Sequence, residues 1–97
     1  PDIRNTKVTD IIEELREYNC KVSVYDPWVN KLEAKKEYGI SLLDKIEDNV
    51  YDAIIIAVAH KEFKKMGIKK IRALGKSKHV VYDLKYLFSA THVDKRL

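Results

Sequence analysis

The chain has 97 residues, enough for one ordinary domain, with 45% hydrophobic residues, a formal net charge of +4 and a pI of about 9.1. No apolar run approaches the roughly 18 residues that a membrane-spanning helix needs; the longest is residues 53–59, and the first apolar stretch is broken by Asp10 and Glu13, so no signal peptide is expected. Cys20 is the only cysteine, which rules out an intrachain disulfide and fits a reduced, cytoplasmic setting, and His60, His79 and His92 do not have the spacing of a zinc motif.

The chain opens on "PDIRNTKV", a polar, helix-breaking segment placed where a parallel α/β domain normally begins with a strand. Asn5 or Thr6 is the expected cap of a first helix. Val8, Ile11, Ile12, Leu15 and Tyr18 recur at helical spacing on its inner face, and Glu13, Glu14, Arg16 and Glu17 fall on the outer one. Asn19 is the expected left-handed terminator. "CKVSVYDP" then alternates Cys20, Val22 and Val24 with polar residues up to Pro27, which predicts a strand of five or six residues. "NKLEAKKEYG" predicts a short helix, with Asn30 and Glu33 at capping-box spacing and Gly39 as its stop. "ISLL" is consistent with a short edge strand, and "LDKIED" with a loop or a single helical turn.

"DAIIIAVAH" is the strongest strand, and its unbroken apolar run predicts burial on both sheet faces, hence a parallel sheet between helices. Residues 61–66 and 68–75 predict helical pieces broken at Gly67 and closed by Gly75. "HVVYD" is the last expected strand, "LKYLFSA" the start of a short helix, and "THVDKRL" an irregular tail. The order of elements predicts α/β class: a three-layer α/β/α Rossmann-like domain with a mainly parallel sheet, spanning residues 1–97 as one domain.

The chemistry-bearing residues each admit a structural reading. With three glycines, Gly39, Gly67 and Gly75, the chain has no glycine-rich pyrophosphate cradle, and a complete dinucleotide site is not expected. Cys20 lies where a helix hands over to a strand and is read as a buried, inert thiol. His60 falls at the carboxyl end of the central strand, where open parallel sheets bind ligands, and serves either there or as a turn and helix cap. Asp26 and Asp83, just past strand ends, are read as Asx turns, with ribose binding the other option. Trp28 is a lid over a core edge or an interface residue. Arg4, ahead of a helix N-terminus, suits an anion or a structural cap, with Asp2 and Asn5 beside it. The basic stretch "KEFKKMGIKKIRALGKSKH" suits phosphate or nucleic acid, or simply a solvated helix face interrupted by apolar residues.

Taken together, "PDIRNTKV", "VYDPWV", "YDAIIIAVAHKEF" and "VVYDLK", in that order, make the chain similar to the C-terminal UDP-binding domain of the nucleotide-sugar 6-dehydrogenases. The branch it most resembles acts on UDP-N-acetylhexosamines and includes the Vi polysaccharide enzymes. The resemblance covers nearly the whole chain. It implies a fragment that starts just after the family domain's first strand, which ends in a Phe-Lys pair. It also implies that the NAD-binding Rossmann domain, the central helical dimerisation domain and the catalytic cysteine belong to other parts of a parent chain, itself a homodimer or larger; Cys20 does not match that cysteine. The implied reaction oxidises the C6 alcohol of a UDP-sugar to a carboxylate with two NAD⁺, for surface polysaccharide, and the fragment alone is expected to be inactive. Carried over residue by residue, Arg4 is expected to reach the NAD side of the cleft, Asp2 to orient Arg4, and Lys85 of "YDLK" to contact the UDP-sugar. The family often has arginine at the position of Lys85. No family role attaches to His60. A free-standing nucleotide- or nucleic-acid-binding α/β module is the alternative, with nucleic acid the less expected ligand; steep salt dependence would mark a nucleic-acid binder.

Overall fold

In the computed structural model, residues 6–96 are described, and the chain forms two compact units, Pro1–Ile46 and Glu47–Leu97. In the first unit, helix α1 (Thr6–Glu17) turns Ile12 inward, with Val8 packed beside it. Asn19 ends it at φ 63, the left-handed geometry expected of it. Asn19 N–H donates to Arg16 O and Cys20 N–H to Leu15 O, which satisfies two of the helix's terminal carbonyls. Tyr18 lies past the last turn and is 76% exposed, so the inner face stops one step short of the expected set. The capping role expected of Asn5 or Thr6 rests on side chains outside those described.

Helix α2 (Lys31–Tyr38) forms as its punctuation requires. The Asn30 side chain accepts the Glu33 N–H at 3.0 Å, and Gly39 closes the helix at φ 66. Ala34 is its buried contact, joining Ile12 and Ile40 in a small core. Lys31 forms an ion pair with Asp44.

The strand expected over residues 20–25 is reduced to one parallel bridge, Val24 to Leu42, with Leu43 N–H donating to Val24 O at 2.8 Å. The alternating pattern is there, but a strand exists only as far as a partner's backbone pairs with it, and "ISLL" supplies one bridge. Cys20 is exposed, not buried, because it belongs to the helix-terminating turn and not to a packed strand.

The second unit holds a three-stranded parallel sheet in the order β1-β2-β3. Strand β1 (Tyr51–Ile56) pairs with β2 (Gly75–Asp83) from Ala53 opposite Val80 to Ile56 opposite Asp83. The regular part of β2, residues 80–83, is thus the "VVYD" of the "HVVYD" read from the sequence. Gly75 pairs alone with Tyr51, and residues 76–79 bulge out between them. β1 ends at Ile56, short of His60. Its burial rises along the strand, with Ala53 exposed, Ile54 and Ile55 on opposite faces both half-buried, and Ile56 buried, so the full burial of both faces expected from the apolar run is reached only at its end.

Helix α3 (Lys61–Ala73) carries the expected break. Gly67 adopts φ 84, ψ 158, a conformation closed to residues with a Cβ, and kinks the helix in its middle. Leu74 caps it, so Gly75 opens the next strand and does not close the helix. Ile71, Met66 and Ile68 face the sheet and meet Ile56, Val81, Phe88 and Val93. Each fully buried apolar side chain of this kind contributes about 1.5–3 kcal/mol. Lys61, Lys64, Lys65, Lys69 and Lys70 line the exposed side, which is the solvated-face reading of the basic stretch.

The C-terminal part departs from expectation. Residues 84–90 do not start a helix: Tyr86 sits at φ 55, and a 3-10 turn forms later, at Ala90–His92. The tail is not irregular either. Strand β3 (Lys95–Arg96) pairs in parallel with Tyr82 and Asp83 of β2. Asp94 fixes its entry, donating N–H to Val81 O at 3.0 Å and accepting Val81 N–H at 2.7 Å through its carboxylate. The α/β class and parallel sheet are those read from the sequence, consistent with a Rossmann-like domain.

Candidate functional site

Parallel strands end on the same side, and an open α/β sheet presents its ligand crevice there. In the second unit that edge is built from the residues after Ile56, the loop after Asp83, and Arg96. The loop is shaped by Asp83, which is fully buried. Its Oδ2 accepts the Phe88 N–H at 2.8 Å, and its Oδ1 accepts Leu87 N–H at 3.1 Å and Lys85 N–H at 3.3 Å. A carboxylate has acceptor capacity for all three, and burial makes leaving any of them unpaired costly. Leu84 N–H donates back to Ile56 O at 3.0 Å, which ties the loop's start to β1.

The Asx-turn reading of Asp83 is borne out and extended, since it holds a six-residue loop and not a single turn. The clamp leaves Lys85 exposed at the tip, in a turn of fixed backbone. Lys64, from α3, is engaged elsewhere: its Nζ donates to Leu87 O at 2.5 Å and lies 5.4 Å from the Phe88 ring centroid. Arg96 stacks on the Tyr86 ring, with Cζ 3.9 Å from the centroid.

His60 is buried at the N-cap position of α3, edge-on to Phe63 with ring centroids 5.5 Å apart. Its backbone carbonyl accepts the Phe63 and Lys64 N–H groups, so its backbone caps the helix, while its side chain makes no capping bond. Behind the edge, Arg72 lies 3.2 Å from the Asp94 carboxylate, donates through Nε to His92 O at 3.2 Å and lies 3.2 Å from His79 Nε2. The Asp94 carboxyl is held below the ordinary aspartate value chiefly by the Val81 N–H bond; desolvation opposes this, and the charge and hydrogen bond of Arg72 add to the lowering.

In the first unit, Asp26 is buried and accepts the Trp28 N–H at 2.9 Å, which is the Asx turn read from the sequence. Trp28 is 54% exposed. Arg4 and Asp2 lie outside the described residues. Among the described residues no three His, Cys, Asp or Glu side chains gather as a metal site requires, and no helix is long and apolar enough to cross a membrane. The described residues do not fit an NAD pyrophosphate. The turn from β1 into α3, residues 57–60, contains no glycine, and the three glycines stand at a helix end, a helix kink and a strand start.

A sequence profile of the UDP-glucose/GDP-mannose dehydrogenase family, UDP binding domain, matches residues 1–90. The chain belongs to this family, as its UDP-binding domain. It is 52% identical over all 97 residues to the UDP-N-acetyl-D-glucosamine 6-dehydrogenase of Salmonella typhi. It is 56% identical over the same span to the enzyme of that name from Pseudomonas aeruginosa, and 39% identical over 97% of its length to Protein CapL of Staphylococcus aureus. It covers 23% of each 6-dehydrogenase and 22% of CapL, so it spans about a quarter of the length of these relatives. No solved structure matches it.

Within this UDP-binding domain, the sequence reading named Lys85 as a candidate contact and read the turn at Asp83. It missed the reach of the Asp83 clamp to Phe88 and the Tyr86–Arg96 stack. The clamp spans five residues within one loop, beyond a simple Asx turn, and the stack joins a loop to a strand that meet only in the folded unit.

Proposed function

We propose that residues 1–97 act as one domain, the UDP-sugar-binding domain of a cytoplasmic UDP-N-acetylhexosamine 6-dehydrogenase. The parent reaction takes the C6 alcohol and one water to a carboxylate as two NAD⁺ become two NADH, and its product serves surface polysaccharide synthesis. The relatives named 6-dehydrogenase support this reading. The observation that carries it is the position of Lys85: an exposed cation on the carboxyl edge of a parallel sheet, its turn fixed by a buried carboxylate. A UDP diphosphate carries about two negative charges, and a lysine held there contributes a charge-assisted contact without ordering a flexible loop on binding. Arg4, oriented by Asp2, reaches the NAD side of the cleft. The NAD fold and the catalytic cysteine come from other parts of the parent chain, which assembles as a dimer or larger, so residues 1–97 alone turn over no substrate.

Kinetics on the full-length polypeptide that carries this domain test the reading. With UDP-N-acetylglucosamine, -mannosamine or -galactosamine, two NADH form per sugar oxidised. Lys85→Ala raises KM for the UDP-sugar about tenfold, the loss expected for one charge-assisted hydrogen bond. Arg4→Ala raises KM for NAD or lowers kcat and leaves UDP-sugar binding alone. Unchanged kinetics in either variant remove that residue from the site, and absence of NADH formation with all three sugars refutes the assignment.

A further inference from the structure

Arg96 lies beyond residue 90, where the family match ends, and the sequence reading placed it in an irregular tail. In the folded unit it is the residue of β3 paired with Asp83, at the edge that carries Lys85 two positions further on. Its guanidinium is stacked on Tyr86, and its Nε is buried without an acceptor among the described residues. No described carboxylate is paired with it. Asp83 has both oxygens committed to the 85–88 backbone, and Asp94 is engaged by Val81 and Arg72. Tyr86 holds its place at φ 55, a left-handed conformation that a residue with a Cβ adopts only when its surroundings impose it.

We propose that Arg96, braced by Tyr86, forms with Lys85 a two-cation site for the diphosphate of a nucleoside diphosphate. The inference rests on the UDP-sugar reading above and adds Arg96 as a phosphate-binding residue. Stacking consumes the face of the guanidinium and fixes its plane. It leaves the edge, where the N–H donors form a fork that matches two phosphate oxygens. A buried donor without an acceptor is costly, and an arriving phosphate oxygen relieves that cost. Two cations on one edge, with no carboxylate paired to them among the described residues, also suit a group of two or more negative charges better than a sugar or a base.

Calorimetric titration of the full-length polypeptide with UDP, uridine and ADP tests this. The wild type binds UDP more tightly than uridine and than ADP. Arg96→Ala weakens UDP about tenfold or more and leaves uridine unchanged, since only UDP carries the phosphates. Arg96→Lys keeps the charge but loses the stacked fork, and recovers part of the loss; it also carries the test if the alanine variant does not fold. An unchanged UDP-to-uridine ratio in both variants overturns the proposal and makes Arg96 a structural brace for Tyr86. A wild type that binds no UDP overturns the UDP reading itself, and this inference with it.

Discussion

Replacing Asp83 by alanine removes the carboxylate that holds three backbone N–H groups of the loop after β2. Three backbone donors lose their acceptor: Phe88 N–H at 2.8 Å, Leu87 N–H at 3.1 Å and Lys85 N–H at 3.3 Å. The last is long and on the rim, where water replaces the lost oxygen. The other two end in a buried or half-buried setting, and a hydrogen bond to a charged acceptor is worth about 1.5–3 kcal/mol. The loss is therefore about 3–6 kcal/mol, against the roughly 5–15 kcal/mol that holds an ordinary domain together. For a domain of this size that lowers the melting temperature by roughly 12 °C or more. Asp83→Asn keeps one oxygen and turns its amide toward one of the former donors. It should cost about half as much, because one of the two strong bonds survives. Scanning calorimetry of the wild type and both variants reads the three values directly. If the alanine variant unfolds within about 0.5 kcal/mol of the wild type, the range of an ordinary surface substitution, the clamp is not what holds this loop.

Two further predictions concern the fold. Asp94's carboxyl is held below the ordinary aspartate value of 3.8 by the Val81 N–H and Arg72, so its contribution is fully present above about pH 4 and is lost as pH falls through the lowered value. Asp94→Asn should be less stable at neutral pH, with the gap to the wild type closing in acid; urea midpoints at neutral and strongly acid pH check this, and a constant gap would refute it. Gly75 tolerates no side chain, because a Cβ there would sit 2.6 Å from His79 Nδ1 and 2.7 Å from His79 Cβ. Gly75→Ala should cost about 1–3 kcal/mol by overpacking, and adding His79→Ala should restore part of it, a coupling that a double-mutant cycle measures.

What the sequence determined by itself was local. The period of apolar residues placed α1 and α3. Asn30 and Gly39 set the ends of α2, Asn19 the end of α1, and Gly67 the kink in α3. The Asx turns at Asp26 and Asp83 were readable for the same reason: each begins with a bond to a backbone group two residues on. Such features depend on neighbours within one turn of chain, and residue types alone specify them. "DIRN" and "AVAHKEF" likewise carried the family resemblance as strings. Tertiary structure decided everything that needs a distant partner. Alternation at residues 20–25 became one bridge because Leu42 alone pairs with Val24, and this left Cys20 exposed. The tail became a strand because Asp94 bonds to Val81, 13 residues away, in both directions. The Arg96–Tyr86 stack arises from that same closure. Strand pairing is a long-range contact between backbone groups common to every residue, so side-chain pattern leaves its partners open until the chain has folded.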